Sequence, residues 1–240
     1  MKTIFLAGGM GTRISEETKK IPKPMIKVGK LPILFHIMKH YSNYNFKDFV
    51  VCAGYKHKFI NNFFSNKKNF SKKVKDWKIN IVNTGLKAQT GARIKKIKKF
   101  LENDEMFFMT YGDGISNVNL NKLINFHKKH KKIATLTAVR PIPRFGNIKL
   151  NKNKVSEFNE KDRLQEGWIN GGFFILNKKV FDYIDNNINR IFEREPLQNL
   201  SKNGQLMAYK HEGFWHPMDT LRDKKYLNEL YYKRKLNWLK

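Results

Sequence analysis

Leu6-Ala7-Gly8-Gly9-Met10-Gly11-Thr12-Arg13 decides how the chain is read. It follows an apolar run that starts at Ile4, almost at the first residue, and sets three glycines within four positions. A strand that empties into such a turn lets backbone N–H groups come close to a bound anion, because no Cβ stands in the way. Arg13 adds a fixed positive fork. The spacing is neither a Walker loop, which ends in Gly-Lys-Ser/Thr, nor a clean G-x-G-x-x-G fingerprint. On the residues alone, the stretch is either a phosphate cradle or a plain strand-to-helix turn.

Working outward, Lys2 to Ala7 reads as the first strand. A polar stretch runs to Lys20, and Pro22 and Pro24 then hold Lys23 in extended backbone. That lysine is expected to be presented, not buried, and is either functional or an ordinary member of a stiffened loop. From Pro32, the spacing of Ile33, Leu34, Ile37, Met38 and Tyr41 predicts a helix with one apolar stripe. Asp48 to Gly54 returns as a strand. Strand, helix, strand is the signature of a parallel α/β sheet.

The same reading predicts a short helix over Lys56 to Phe64, a surface excursion to Asp76 and a strand over Trp77 to Val82. Thr90-Gly91 opens a basic amphipathic helix through Leu101. Met106 to Thr110, nearly all apolar, is a strand covered on both faces. It runs into Tyr111-Gly112-Asp113-Gly114, which sets a carboxylate at the carboxyl end of a sheet strand, where α/β sheets bind ligands. A Gly-Asp-Gly turn also occurs as a turn and nothing more. Further along come a helix over Asn119 to His130 and a strand over Ile133 to Val139. A hairpin is predicted over Gly146 to Leu150 and Val155 to Phe158, followed by a strand over Gly171 to Leu176. Helices near Lys178 to Ile184 and Glu195 to Leu200, a strand over Leu206 to Lys210 and a helix from Leu221 to Arg234 complete the chain.

Composition bounds the function. The chain has 240 residues, enough for one sizeable α/β core, and a single domain over 1–240 is the expectation. The lone Cys52 lies in an apolar run, which predicts a buried, inert thiol; no disulfide can form within the chain, and a cytoplasmic setting suits that. No stretch is apolar enough for a bilayer span, and the first apolar run is too short for a secretory signal. The formal charge of +28 attracts polyanions, yet the lysines are spread over the whole chain. They are either solvated helix faces or a genuine nucleic-acid footprint.

Leu6 to Arg13 followed by Pro22-Lys23-Pro24-Met25 resembles the opening of the sugar-1-phosphate nucleotidyltransferases. Thr110 to Gly114, Arg144-Phe145-Gly146, Glu160-Lys161, Trp168 to Phe174 and the block Gly213 to Asp223 are similar to the glucose-1-phosphate cytidylyltransferase branch of that family. The last block, with Phe214-Trp215-His216-Pro217-Met218-Asp219-Thr220-Leu221-Arg222-Asp223, is its most specific part. The resemblance implies a Rossmann-like, GT-A-like α/β fold with a mixed, mainly parallel central sheet flanked by helices. It implies transfer of a cytidylyl group from CTP to α-D-glucose 1-phosphate, giving CDP-glucose and pyrophosphate, in a homo-oligomeric enzyme that uses Mg²⁺ and binds neither membrane nor nucleic acid.

By the same resemblance, Asp113 and Asp219 hold Mg²⁺, Arg13 contacts the triphosphate and Lys23 neutralises phosphates at the reacting centre. Leu6, Ala7, Gly8, Gly9, Met10, Gly11 and Thr12 surround the nucleotide, with Thr84, Thr90 and Gly112 as further contacts. Glu160 accepts from sugar hydroxyls, Lys161 holds the sugar phosphate, and Asn170 with Gly171 lines the sugar site. Several positions depart from the family pattern: Ile21 replaces a lysine, Ala92 a glycine and Asp162 a proline, and Pro141-Ile142-Pro143 stands before Arg144 where the family reads Pro-Pro-Gly. These changes bear on the acceptor more than on the transfer. Another phosphorylated acceptor, a basic nucleic-acid-binding protein and an inactive relative remain the competing readings.

Overall fold

Thr3–Ala7 forms β1, buried over all five residues. Its side chains divide with the strand period of two: Phe5 and Ala7 enter one apolar layer, Ile4 and Leu6 the other. The computed structural model describes residues 1–66, 74, 76–141, 147–159 and 167–238. Along the chain, β1 is followed by α1 (Ser15–Thr18), β2 (Lys27–Val28), β3 (Leu31–Pro32), α2 (Ile33–Asn43), β4 (Asp48–Ala53), α3 (His57–Ser65) and β5 (Lys78–Asn83). Next come α4 (Thr90–Lys96), β6 (Met106–Tyr111), β7 (Gly114–Ser116), α5 (Leu120–His130), β8 (Ala134–Val139), β9 (Asn147–Asn151) and β10 (Lys154–Asn159). The last elements are β11 (Ile169–Asn177), α6 (Glu195–Lys202), β12 (Leu206–His211), β13 (Trp215–Pro217) and α7 (Leu221–Tyr232).

Seven strands form the central sheet in the order β12-β8-β11-β6-β1-β4-β5. β11 runs antiparallel to both neighbours, and the other pairings are parallel, so the sheet is mixed and mainly parallel, as expected. In register, Leu6 lies beside both Cys52 and Tyr111, and Ala53 beside Asn83. The carboxyl ends of β1, β4, β5 and β6 therefore open on one edge. One face carries the apolar stripe of α2 (Ile33, Ile37, Met38, Tyr41) together with Leu123 of α5 and Leu227 of α7. The other carries Ile94, Ile97, Leu101, Phe181, Leu197 and Leu200. Cys52 is buried as expected, and burial pushes its thiol up to about 12.

Two segments expected as helix differ from the sequence expectation in kind, beyond shifts of one or two residues at other helix ends. The helix expected over Thr90 to Leu101 ends at Lys96, and a tighter 3-10 turn covers Lys98–Leu101. The break at Ile97 lets Ile94, Ile97 and Leu101 all reach full burial on one sheet face. The segment expected as a helix over Lys178 to Ile184 is likewise a 3-10 turn, Lys178–Tyr183, opened by the Asn177 side chain accepting from the Lys179 N–H. The polar stretch before Lys20 holds a 3-10 turn, Thr12–Ile14, and α1, because Ile14 and Thr18 turn inward. Most of the surface excursion before Asp76, together with Gly146, lies outside the described residues. No helix among the described residues is long and apolar enough to cross a membrane.

Buried histidines tie this core to pH. His40 Nε2 lies 3.0 Å from the Val118 carbonyl, and His127 Nδ1 lies 2.8 Å from Thr135 Oγ1. Burial pulls each imidazole down to about 4. In the unfolded chain they titrate near 6.5, so acid protonates the unfolded state first. The stability they contribute is complete above about pH 6.5 and is lost as pH falls toward about 4. Urea unfolding between pH 7.5 and 4.5 is expected to show that decline, with a shallower slope in His40→Gln; an unchanged slope would contradict this account.

Candidate active site

A cavity of about 550 Å³ opens at the carboxyl edge of β1 and β6, beside the start of β11. Leu6, Ala7, Gly8, Gly9, Gly11, Thr12 and Arg13 form one wall, and Gly112 and Asp113 form the floor. Gly11 takes a left-handed conformation (φ 67°), and a Cβ there would meet Thr18 at 2.9 Å and Lys23 at 3.0 Å. Gly8 is needed for a different reason: a Cβ there would sit 2.2 Å from the Arg93 guanidinium. That guanidinium lies under the loop, 4% exposed, and bonds no carboxylate among the described residues. Its nitrogens donate to the carbonyls of Gly8 (2.9 Å), Gly85 (2.9 Å) and Ala53 (3.3 Å) and to the Thr84 hydroxyl (2.5 Å). One side chain thus pins the ends of β1, β4 and β5 to each other. Burial lowers its pKa, and the converging carbonyl dipoles are what hold the charge in place.

Asp113 and Asp219 are 106 positions apart in sequence yet meet at one lysine. The short strand β13 pairs with β7, Pro217 opposite Gly114, and the Met218 N–H donates to the Asp113 carbonyl at 2.9 Å. Thr220 and Asp223 close a capping box on α7, and the Asp223 carboxylate also accepts from the Asp219 N–H at 3.0 Å. The Lys23 Nζ donates to Asp113 Oδ2 at 2.5 Å and to Asp219 Oδ1 at 2.6 Å. Arg13 Nη1 reaches Asp219 Oδ2 at 2.6 Å. Burial opposes the charge on Lys23, but the two carboxylates outweigh it and hold the ammonium above its ordinary range. Against the expectation of an extended, presented lysine, Lys23 is 7% exposed: Pro22 is extended, but Lys23 itself opens a 3-10 turn with Pro24 and is drawn inward by the two aspartates.

Most residues singled out in the sequence come together here; some do not. Asn170 and Gly171, at the start of β11, line the cavity, as does Thr90. Met10 does not: it is 55% exposed, outside the cavity wall. Thr84 is fully buried and outside the cavity lining, where its hydroxyl donates to the Ala53 carbonyl and accepts from Arg93, so it supports the loop from below. Glu160 and Lys161 lie outside the described residues. The sequence reading gave no role to Arg93, Tyr111 or Glu193, all of which line the cavity. Glu193 accepts from the Thr90 and Tyr111 hydroxyls at 2.5 Å each. Proximity across about a hundred residues leaves no local signal for that carboxylate; Arg93 stands in the sequence as a basic helix residue and as the last member of a family Thr-Gly-Gly-Arg pattern, neither of which gives its partners.

Removing the guanidinium breaks the ties between three strand ends and takes a charged donor from Gly85, while the Gly8 and Ala53 carbonyls keep the Tyr55 and Thr84 N–H groups. Arg93→Met is expected to lower the unfolding free energy on the order of 3 kcal/mol in urea titrations, and an unchanged midpoint would contradict the pinning role.

The nucleotidyl transferase family model matches residues 2–223. The chain is 45% identical to the glucose-1-phosphate cytidylyltransferase of Salmonella typhimurium, with 99% of this chain and 98% of that protein aligned. It is 38% identical to a probable glucose-1-phosphate cytidylyltransferase of Bacillus subtilis, covering 99% of each. Among solved structures, HddC from Yersinia pseudotuberculosis has the same fold, with a TM-score of 0.75 at 23% identity over 96% of this chain and 99% of that one. A glycine loop, an inward lysine and two converging aspartates at one sheet edge agree with that match, and the chain belongs to the nucleotidyl transferase family.

Proposed function

We propose that the protein is a glucose-1-phosphate cytidylyltransferase, converting CTP and α-D-glucose 1-phosphate to CDP-glucose and pyrophosphate in one domain. The observation that carries this reading is the convergence of Lys23 with Asp113 and Asp219 beside the glycine loop. The names of the full-length relatives support the choice of nucleotide and sugar. A phosphate oxygen of the sugar phosphate attacks the α-phosphorus of CTP, the bond to the β-phosphate breaks, and pyrophosphate leaves. The nucleophile is already ionised, so no general base is required. What the reaction needs is positive charge and alignment, since both reactants are anions.

The chain's own groups meet that need. Gly8, Gly9 and Gly11, with Leu6, Ala7, Thr12 and Gly112, receive the nucleotide. Arg13 faces the triphosphate and stabilises the departing pyrophosphate, while Lys23 neutralises the phosphates at the reacting centre. Asn170 and Gly171 line the acceptor side; by the family resemblance Glu160 serves the sugar hydroxyls and Lys161 the sugar phosphate. Asp113 and Asp219 fit Mg²⁺: their oxygens lie within 2.6 Å of one cationic nitrogen. No group of three or more His, Cys, Asp or Glu forms a metal cage among the described residues, and Mg²⁺ is usually held by one or two carboxylates plus substrate phosphates. When bound, the cation supplies charge neutralisation at the phosphates. The same reading includes a cytoplasmic location and self-association.

Pyrophosphate release from CTP with glucose 1-phosphate and Mg²⁺ is the first test. Asp113→Asn is expected to reduce it about 10³-fold and EDTA to abolish it. Release with another phosphorylated acceptor in place of glucose 1-phosphate would move the acceptor assignment, and silence with every acceptor would refute the enzyme. A second measurement is Mn²⁺ binding to the ligand-free protein by electron paramagnetic resonance. Because Lys23 occupies the oxygens that hold the cation, Lys23→Met is expected to bind Mn²⁺ more tightly than the parent, and Asp219→Asn more weakly. The reverse order would contradict the metal assignment.

A further inference from the structure

Glu193 is a third carboxylate in a cavity otherwise built for anions. Asp113 and Asp219 are each matched by a cation, Lys23 or Arg13. Glu193 has no cation within ion-pair distance among the described residues; hydroxyls hold it instead. Thr90 donates to Oε2 and Tyr111 to Oε1, both at 2.5 Å, the length of charge-assisted O–H···O⁻ bonds. A carboxylate in that place repels phosphate and welcomes neutral donors.

Its partners inherit a fixed polarity. With its proton turned to Glu193, the Tyr111 oxygen presents only lone pairs, and it accepts from Asn170 Nδ2 over a long 3.4 Å. Asn170 itself is oriented by accepting from the Gly172 N–H at 2.8 Å. Gly172 has φ 80°, and a Cβ there would lie 2.5 Å from the Tyr111 ring, so the ring seats directly on bare backbone. The Thr90 oxygen accepts from the Phe192 N–H at 2.9 Å, which anchors the segment bearing Glu193. Burial and the neighbouring Glu193 charge both push the Tyr111 phenol well above its ordinary range, so it stays protonated. The assembly spans β6 and β11, and β11 lies on the side of β6 away from the glycine loop.

We infer that Glu193, acting with the Tyr111 oxygen, forms a hydrogen-bond-accepting wall that recognises the hydroxyls of the acceptor sugar and so determines acceptor specificity. This rests on the cytidylyltransferase reading. Such a wall takes donors from a polyhydroxylated ring and disfavours acceptors that present a second anion there. Through its hydrogen bonds among the described residues, the wall meets the nucleotide side only at Thr90, whose oxygen also accepts from the Phe192 N–H, so nucleotide binding at the glycine loop is expected to change little.

The test separates sugar from nucleotide. Binding of CDP and of CDP-glucose is measured calorimetrically for the parent protein and for Glu193→Gln, alongside KM for CTP and for glucose 1-phosphate. In Glu193→Gln, the dissociation constant for CDP-glucose and KM for glucose 1-phosphate are expected to rise about tenfold, the effect of one good hydrogen bond, while the CDP and CTP values stay within about twofold. Tyr111→Phe, which keeps the ring on Gly172, is expected to shift the same two quantities, and the double variant to add little to either single change. Equal losses for CDP and CDP-glucose, or no loss for either, would overturn the inference; where Glu193→Gln does not fold, Tyr111→Phe decides by the same criterion. A parent protein that releases no pyrophosphate from CTP and glucose 1-phosphate defeats the functional reading itself, and the acceptor wall falls with it.

Discussion

The buried Arg93 guanidinium is the constraint on which the site depends. A charge that deep is stable only where many dipoles converge on it, and here the acceptors come from the ends of β1, β4 and β5. The arrangement explains the glycine requirement next to it. Gly8 has no room for a side chain, and at Gly54 a Cβ would lie 2.5 Å from the same guanidinium. The cradle is therefore rigid from below, and its underside is positive. A polyphosphate above the loop meets a preorganised field, which is the form of stabilisation that phosphoryl-type transfer uses.

A second arrangement supplies charge at the other wall. Lys23, Asp113, Asp219 and Arg13 form a compact set with no net charge, two cations against two carboxylates. The pairing of β7 with β13 fixes the two aspartates relative to each other, and the capping box of α7 holds the second in place. The set is matched internally and Lys23 and Asp219 are buried, so it is stable without a ligand; in the proposed reaction its partners exchange when phosphates and a cation arrive. Glu193 stands apart from this balance, facing hydroxyls and not cations. The cavity is thus divided between an end for anions and an end for neutral donors.

Much of this was legible in the sequence because it is written in local patterns. The apolar run ending in glycines, the apolar stripe of α2 and the carboxylate following β6 each have a short-range cause. Asp219 was legible through a resemblance, not through physics, since nothing local ties it to Asp113. What stayed hidden depends on distant contacts. Arg93 looked like one basic residue of an amphipathic helix, because periodicity records Ile94 and Ile97 but not carbonyls gathered from three strands. Thr84 is a nucleotide contact by resemblance, and its bond to Arg93, nine residues on, has no local pattern to announce it. Ile97 breaks its helix because burial of Ile97 and Leu101 outweighs the continuation of the α-helical ladder.

The central claim is that this site moves a cytidylyl group onto an intact sugar phosphate. The most direct measurement is ³¹P NMR of the products from CTP and glucose 1-phosphate labelled with ¹⁸O at every oxygen of its phosphate group. The account predicts CDP-glucose that retains the whole labelled phosphate, with unlabelled pyrophosphate in equal amount. Label in the pyrophosphate, or consumption of CTP without CDP-glucose, would contradict it.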